Sequence, residues 1–149
     1  MLEGLVNRLK RISDSLCEDK ILHDVLEDST LQAQIVDLNQ HQLYDLGLQS
    51  DGSPTGYYAP ITISKWKPLA KAEGRDGRSD HITGKDTGET YASMKAVNLD
   101  KSMVITADDR NGFFDVETEG LGLTQVSLDE IKPEITESII QNIREKIAA

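Results

Sequence analysis

The chain is short of the features that most quickly narrow a function. It has a single cysteine, Cys17, so an internal disulfide framework and a zinc site built from clustered thiolates are both excluded. Aromatic residues are only 5% of the 149, so any core must come mainly from Leu, Ile and Val. No apolar run approaches the roughly 18–20 residues that cross a bilayer, and the opening MLEGLVNRLKRISDSL lacks the unbroken apolar block of a signal peptide. The expectation is a protein that stays in a reducing cytoplasm where it is made. Basic residues are also scarce: 16 Lys and Arg stand against 26 Asp and Glu, a net charge of −10. Such a surface does not suit a general binder of nucleic acid or anionic membranes.

The acidity is unevenly spread. Residues 1–50 carry a net −5 and residues 86–149 a net −7, whereas residues 60–85 set six bases against three acids, a net +3. The middle of the chain is a basic island in an acidic protein.

One domain of ordinary size is expected over 1–149. Leu2, Leu5, Val6, Leu9 and Ile12 recur at helical spacing, and Leu16, Ile21, Leu22, Val25 and Leu26 fit a second helix. Ser29 or Thr30 offers the cap of a third helix, carrying Leu31, Ile35, Leu38, Leu43 and Leu46 before Gly47. Residues 1–47 thus form a helical part, and 49–60 a Gly- and Pro-containing loop. ITISKWK alternates like a short strand. Residues 70–88 hold four glycines and only Ile82 as a large apolar residue, so the basic segment 66–86 reads as a flexible arm unable to bury itself. TGETYASM reads as a helical turn with Tyr91 and Met94 facing inward, and a hairpin near 94–107 turns at Asp100-Lys101. Ser127 and Glu130 make a capping-box pattern, Pro133 suits a first turn, and Ile135, Ile139, Ile140, Ile143 and Ile147 form an apolar stripe, so a long C-terminal helix closes the chain. Helices, then strands, then a helix without a βαβ rhythm give an α+β class with a small antiparallel sheet.

No pattern that carries chemistry stands out. His23, His41 and His81 lie in separate segments without metal-ligand spacing, and His23-Asp24 reads as a surface pair. The run from Ala107 has a glycine at the sixth place of a calcium loop, but Ala107 occupies the first ligand position and Thr118 the last. Cys17 beside Leu16 reads as a buried thiol. The glycines at 74, 77, 84 and 88 match neither phosphate-binding fingerprint. No catalytic, cofactor-binding or metal residues are assigned, no cofactor is expected, and the protein is not expected to be an enzyme. The basic segment suits an acidic neighbour, including a second copy of this chain. The candidate interface residues are Lys65, Trp66, Lys67, Lys71, Arg75, Arg78 and Lys85, with Trp66 as core or interface anchor.

The stretch His81–Met94 followed by a hairpin resembles small virion-morphogenesis proteins of tailed bacteriophages, the tail-completion or head-to-tail joining type. In them a T-G-x-[L/Y]-x-x-S-hydrophobic element precedes paired strands and a later helix. Thr87, Gly88, Tyr91, Ser93 and Met94 approximate it, with the serine one place closer to the tyrosine. Tyr57–Ile63 upstream and Gly120–Thr124 before the last helix are similar to proteins of phages and prophages of Bacteroidetes-type bacteria, so the likeness covers roughly residues 31–149. The resemblance implies a structural subunit of a neck or connector ring, sixfold or twelvefold, with portal, neck or tail proteins as neighbours. It implies a place at the head-to-tail junction of the virion, reached from the host cytoplasm, with DNA passing through the lumen and no sequence-specific contact to it. Thr87, Gly88, Tyr91 and Ser93 would then serve packing, not catalysis. The other reading, from charge alone, is a small acidic binding or regulatory module outside the virion.

Overall fold

The computed structural model describes residues 2–99, 102–108 and 121–148. Three helices open the chain: α1 (Leu2–Ser15), α2 (Glu18–Leu26) and α3 (Ser29–His41), the last running into a π-helical turn over Gln42–Leu46. A second helical stretch begins at Pro60, passes through a π-helical turn at Thr62–Trp66 and continues as α4 (Lys67–Ala72). The single turn α5 (Glu89–Ala92) leads into strands β1 (Lys95–Leu99) and β2 (Ser102–Thr106), and α6 (Gln125–Ala148) follows. The class is α+β, as the order of elements in the sequence implies.

The strands pair antiparallel with Ala96 opposite Ile105, which places these two residues on the face turned to the helices. Ala96 and Ile105 pack with Val25 of α2, Leu31 and Ile35 of α3 and Ile131 of α6, forming the main core. A second cluster joins Leu43, Tyr91 and Met94, so the inward pair expected of TGETYASM is indeed buried. The turn expected at Asp100-Lys101, and the calcium-loop-like run of Ala107 from Asp109 onward, lie outside the described residues.

Several local expectations are corrected. ITISKWK is helical, not a strand. A lone strand leaves its backbone groups unpaired, and among the described residues the sheet has only β1 and β2. Helix closes those bonds internally, with Pro60 at the first position, where no N–H is needed, and Pro68 inside the stretch, directly after the π-helical turn. The cap of α3 is Asp28, whose carboxylate accepts the Leu31 N–H at 2.8 Å, not Ser29 or Thr30. The C-terminal helix starts two residues before Ser127. Thr124 takes the capping role, its hydroxyl accepting the Ser127 N–H at 3.3 Å, and Pro133 therefore falls inside the helix. Cys17 is exposed at the start of α2. The helix α1 forms as its spacing implies and touches α6, yet Val6 and Leu9 remain exposed.

Two polar side chains hold the helices in register. Gln42, fully buried, accepts the Thr124 N–H at 2.8 Å and the Ser127 hydroxyl at 3.3 Å, and donates to the Gly122 carbonyl at 3.0 Å. Asn39 donates to that same carbonyl at 2.7 Å. At the other end of α6, Lys146 pairs with Asp24 at 2.6 Å, which holds the Asp24 carboxyl below its ordinary range.

Candidate interaction surface

The basic segment does not stand away from the protein. It wraps around Asp76, whose side chain is 5% exposed. Its carboxylate accepts the Thr83 hydroxyl at 2.9 Å, the Tyr44 hydroxyl at 3.1 Å and the Arg78 N–H at 3.2 Å, and lies 3.4 Å from the Lys67 ammonium. Burial pushes the Asp76 carboxyl up, but these donors and the nearby cation outweigh it and hold it below the ordinary value. The expectation that this stretch buries nothing is therefore corrected: Thr83 and Gly84 are buried, and Thr83 closes the network through Tyr58, whose hydroxyl accepts its N–H at 3.2 Å. Polar groups do here what the missing apolar residues could not, since the Thr83 and Tyr44 hydroxyls donate to a charged carboxylate and the Thr83 N–H to the Tyr58 hydroxyl.

Four of the candidate interface cations are engaged in this way. Lys67 is buried against Asp76 and sits 4.3 Å from the centre of the Tyr58 ring. Arg75 bridges Glu73 at 2.6 Å and Asp86 at 2.7 Å. Arg78 joins Asp80 at 2.8 Å and Asp45 at 3.2 Å, and this pairing lowers the Asp80 carboxyl to about 2. Lys85 lies over the rings of Tyr44 and Tyr91 at 4.7 and 5.5 Å. Tyr44 and Tyr91 themselves meet edge to face at 6.3 Å. These cations act within the fold.

Lys65, Trp66 and Lys71 are placed differently. Lys65 and Lys71 have no carboxylate partner among the described residues. Trp66 is 51% exposed, with the Lys65 ammonium 5.0 Å from its ring centre. Ile61 and Leu69 are exposed beside them, at one-turn spacing from Lys65 on either side. The result is an open aromatic and aliphatic face rimmed by positive charge on an acidic chain. The sequence pointed to this place through its charge, but only the fold separates its free cations from its spent ones.

The residues Thr87, Gly88, Tyr91 and Ser93 come together around a pocket of about 400 Å³ lined by the 84–93 segment and Asp108. Gly88, with φ of 94°, caps α5 without any side-chain bond, while the Thr87 hydroxyl accepts the Glu89 N–H at a long 3.4 Å. Tyr91 donates its hydroxyl to the Thr83 carbonyl, and burial pushes its ionisation far above the ordinary tyrosine value. Ser93 donates to the Thr90 carbonyl at 2.7 Å and accepts the Asp108 N–H at 2.8 Å, fastening the turn to the end of β2. Their bonds tie backbone to backbone. Among the described residues, no group of three or more His, Cys, Asp or Glu is arranged to hold a metal ion, and no helix is long and apolar enough to cross a membrane. His23 lies 3.9 Å from Asp24 at the surface, and His81 packs on Gly47 and bonds the Tyr44 carbonyl at 2.8 Å.

Compared with known proteins, the chain matches no family model, no curated protein and no solved structure.

Proposed function

We propose that the protein is a structural virion subunit of a tailed bacteriophage, part of a head-to-tail connector or tail-completion ring, acting through subunit interfaces without catalysis. The observation that carries this reading is the exposed face of Ile61, Lys65, Trp66 and Leu69 on a chain whose remaining surface is strongly acidic. A half-exposed tryptophan beside exposed Ile61 and Leu69 is the composition of an interface anchor. The likeness of His81–Met94 to phage joining proteins agrees with it, because the matching residues Thr87, Gly88, Tyr91 and Ser93 perform packing and hydrogen-bonding work. On this reading the neighbours are further copies and portal, neck or tail proteins, and the place is the head-to-tail junction.

Electron microscopy of purified particles, with mass spectrometry on the same fractions, tests the proposal. It requires this chain at about six or twelve copies near the junction, the ring orders that the resemblance implies. Absence from particles that carry a complete tail refutes it.

A second reading, an acidic regulatory module outside the virion, is favoured by the groove between α2 and α6, lined by Asp24, Asp28, Glu137 and Glu145. It requires a complex with a basic protein that dissociates as salt rises.

A further inference from the structure

A second groove runs between α3 and α6. It measures about 340 Å³; its floor is Leu38 and the buried Ile131, and its walls carry the carboxylates Asp37, Glu130 and Glu134. An apolar floor within an acidic wall is the chemical complement of an aromatic face rimmed by lysine.

We infer that this groove receives the Trp66 face of a second copy of the chain. The indole would lie on Leu38 and Ile131 while Lys65 meets the carboxylates of Glu130 and Glu134. Three observations point to a copy of this chain as occupant. Trp66 is the sole tryptophan, and it stands on the one segment with a net positive charge, so the chain supplies both the cationic anchor and its acidic receptacle. The groove lies within the roughly 300–1,000 Å³ range of sites that enclose a compact apolar group, and a buried indole covers roughly 150–250 Å². Four of the six basic side chains of residues 60–85 are bound internally, which leaves Lys65 and Lys71 as the cations free to cross to a neighbour.

The face and the groove are different patches of one chain, carried by the 60–72 helical stretch and by the α3–α6 pair. Their union is therefore heterologous, and repeated contacts of that kind close into a ring or continue as a filament. The contact rests on the ring reading proposed above and supplies the surfaces through which such a ring would form.

Sedimentation velocity of the full chain over a concentration series tests it. The wild type is expected to associate, and Trp66→Ala to weaken association by about 30-fold, the loss typical of a central aromatic anchor. K65E/K71E and, separately, E130K/E134K are expected to abolish association, and mixing these two variants to restore it, because each then offers the other an opposite charge at both surfaces. All these side chains are exposed, and circular dichroism checks that each variant keeps the fold. A wild type that stays monomeric at about 1 mM overturns the inference. So does an oligomer that Trp66→Ala and both charge reversals leave intact. That second result removes this contact while the ring reading stands; absence from the virion removes the ring reading itself.

Discussion

Replacing Asp76 by alanine should cost the protein about 3 kcal/mol. The carboxylate is nearly buried and faces the Lys67 ammonium, whose side chain is 10% exposed. Removing one partner of a buried pair strands the other charge, a loss of about 3–5 kcal/mol. Two contacts soften it: the ammonium keeps the Tyr58 ring at 4.3 Å and the residue 76 carbonyl at 3.4 Å, so the lower end of the range applies. Lys67→Met should cost less, about 1–2 kcal/mol, because Asp76 retains the Thr83, Tyr44 and Arg78 donors. The double variant should cost less than the sum of the two, since no charge is left alone. Urea titration followed by circular dichroism measures all three.

The acid dependence follows from the same geometry. The folded carboxyl of Asp76 lies below the ordinary value of 3.8, so its contribution is present above that value and is lost as the pH falls through the folded one. The gap between wild type and Asp76→Ala should therefore be full above about pH 5 and narrow steadily below 3.8. A cost for Asp76→Ala below about 1 kcal/mol, or strict additivity with Lys67→Met, would refute the view that this carboxylate organises the 67–86 segment.

Gln42→Leu should destabilise by about 1–3 kcal/mol, because it orphans the buried Thr124 N–H, whereas the Gly122 carbonyl keeps its Asn39 donor; faster hydrogen exchange at the Thr124 amide is the direct check. Tyr91→Phe should cost about 1–2 kcal/mol by leaving the Thr83 carbonyl unpaired, as read by thermal unfolding. In the wild type, an ultraviolet titration should find the Tyr91 phenol still protonated at pH 10, where an unperturbed tyrosine is half ionised. Gly47→Ala should lower stability by more than the roughly 1–3 kcal/mol of a strained left-handed residue, because Gly47 has φ of 63° and a Cβ there would stand 2.7 Å from the His81 ring. A melting temperature unchanged from the wild type would contradict that packing.

Helical periodicity announced α1, α2, α3 and α6, because the spacing of their leucines, isoleucines and valines is a local property that the backbone geometry reads directly. The hairpin was legible for the same reason, through the alternation of Ala96, Val97, Met103 and Ile105 around a short turn. Ends were less legible. Asp28 and Thr124 compete with Ser29 and Ser127 for the same capping work, and which side chain reaches the free N–H depends on how the chain enters the helix. The stretch Ile61–Lys67 alternates like a strand, and its helical state is decided by the lack of any strand for it to pair with among the described residues.

Charge shows the same division. Composition by itself located the basic island at 60–85 in a chain of net charge −10, and with it the region where a neighbour could bind. Tertiary structure decided which cations are available. Asp45 lies 33 residues from Arg78 in the chain, and Tyr44 reaches Asp76 across 32, so these pairings exist only once α3 and the 67–86 segment are brought together. The α3–α6 groove likewise joins Asp37 to Glu130 and Glu134 across more than ninety residues. Local spacing fixes which face of a helix is apolar, but whether a charge is buried, paired or free depends on contacts between residues far apart in the chain.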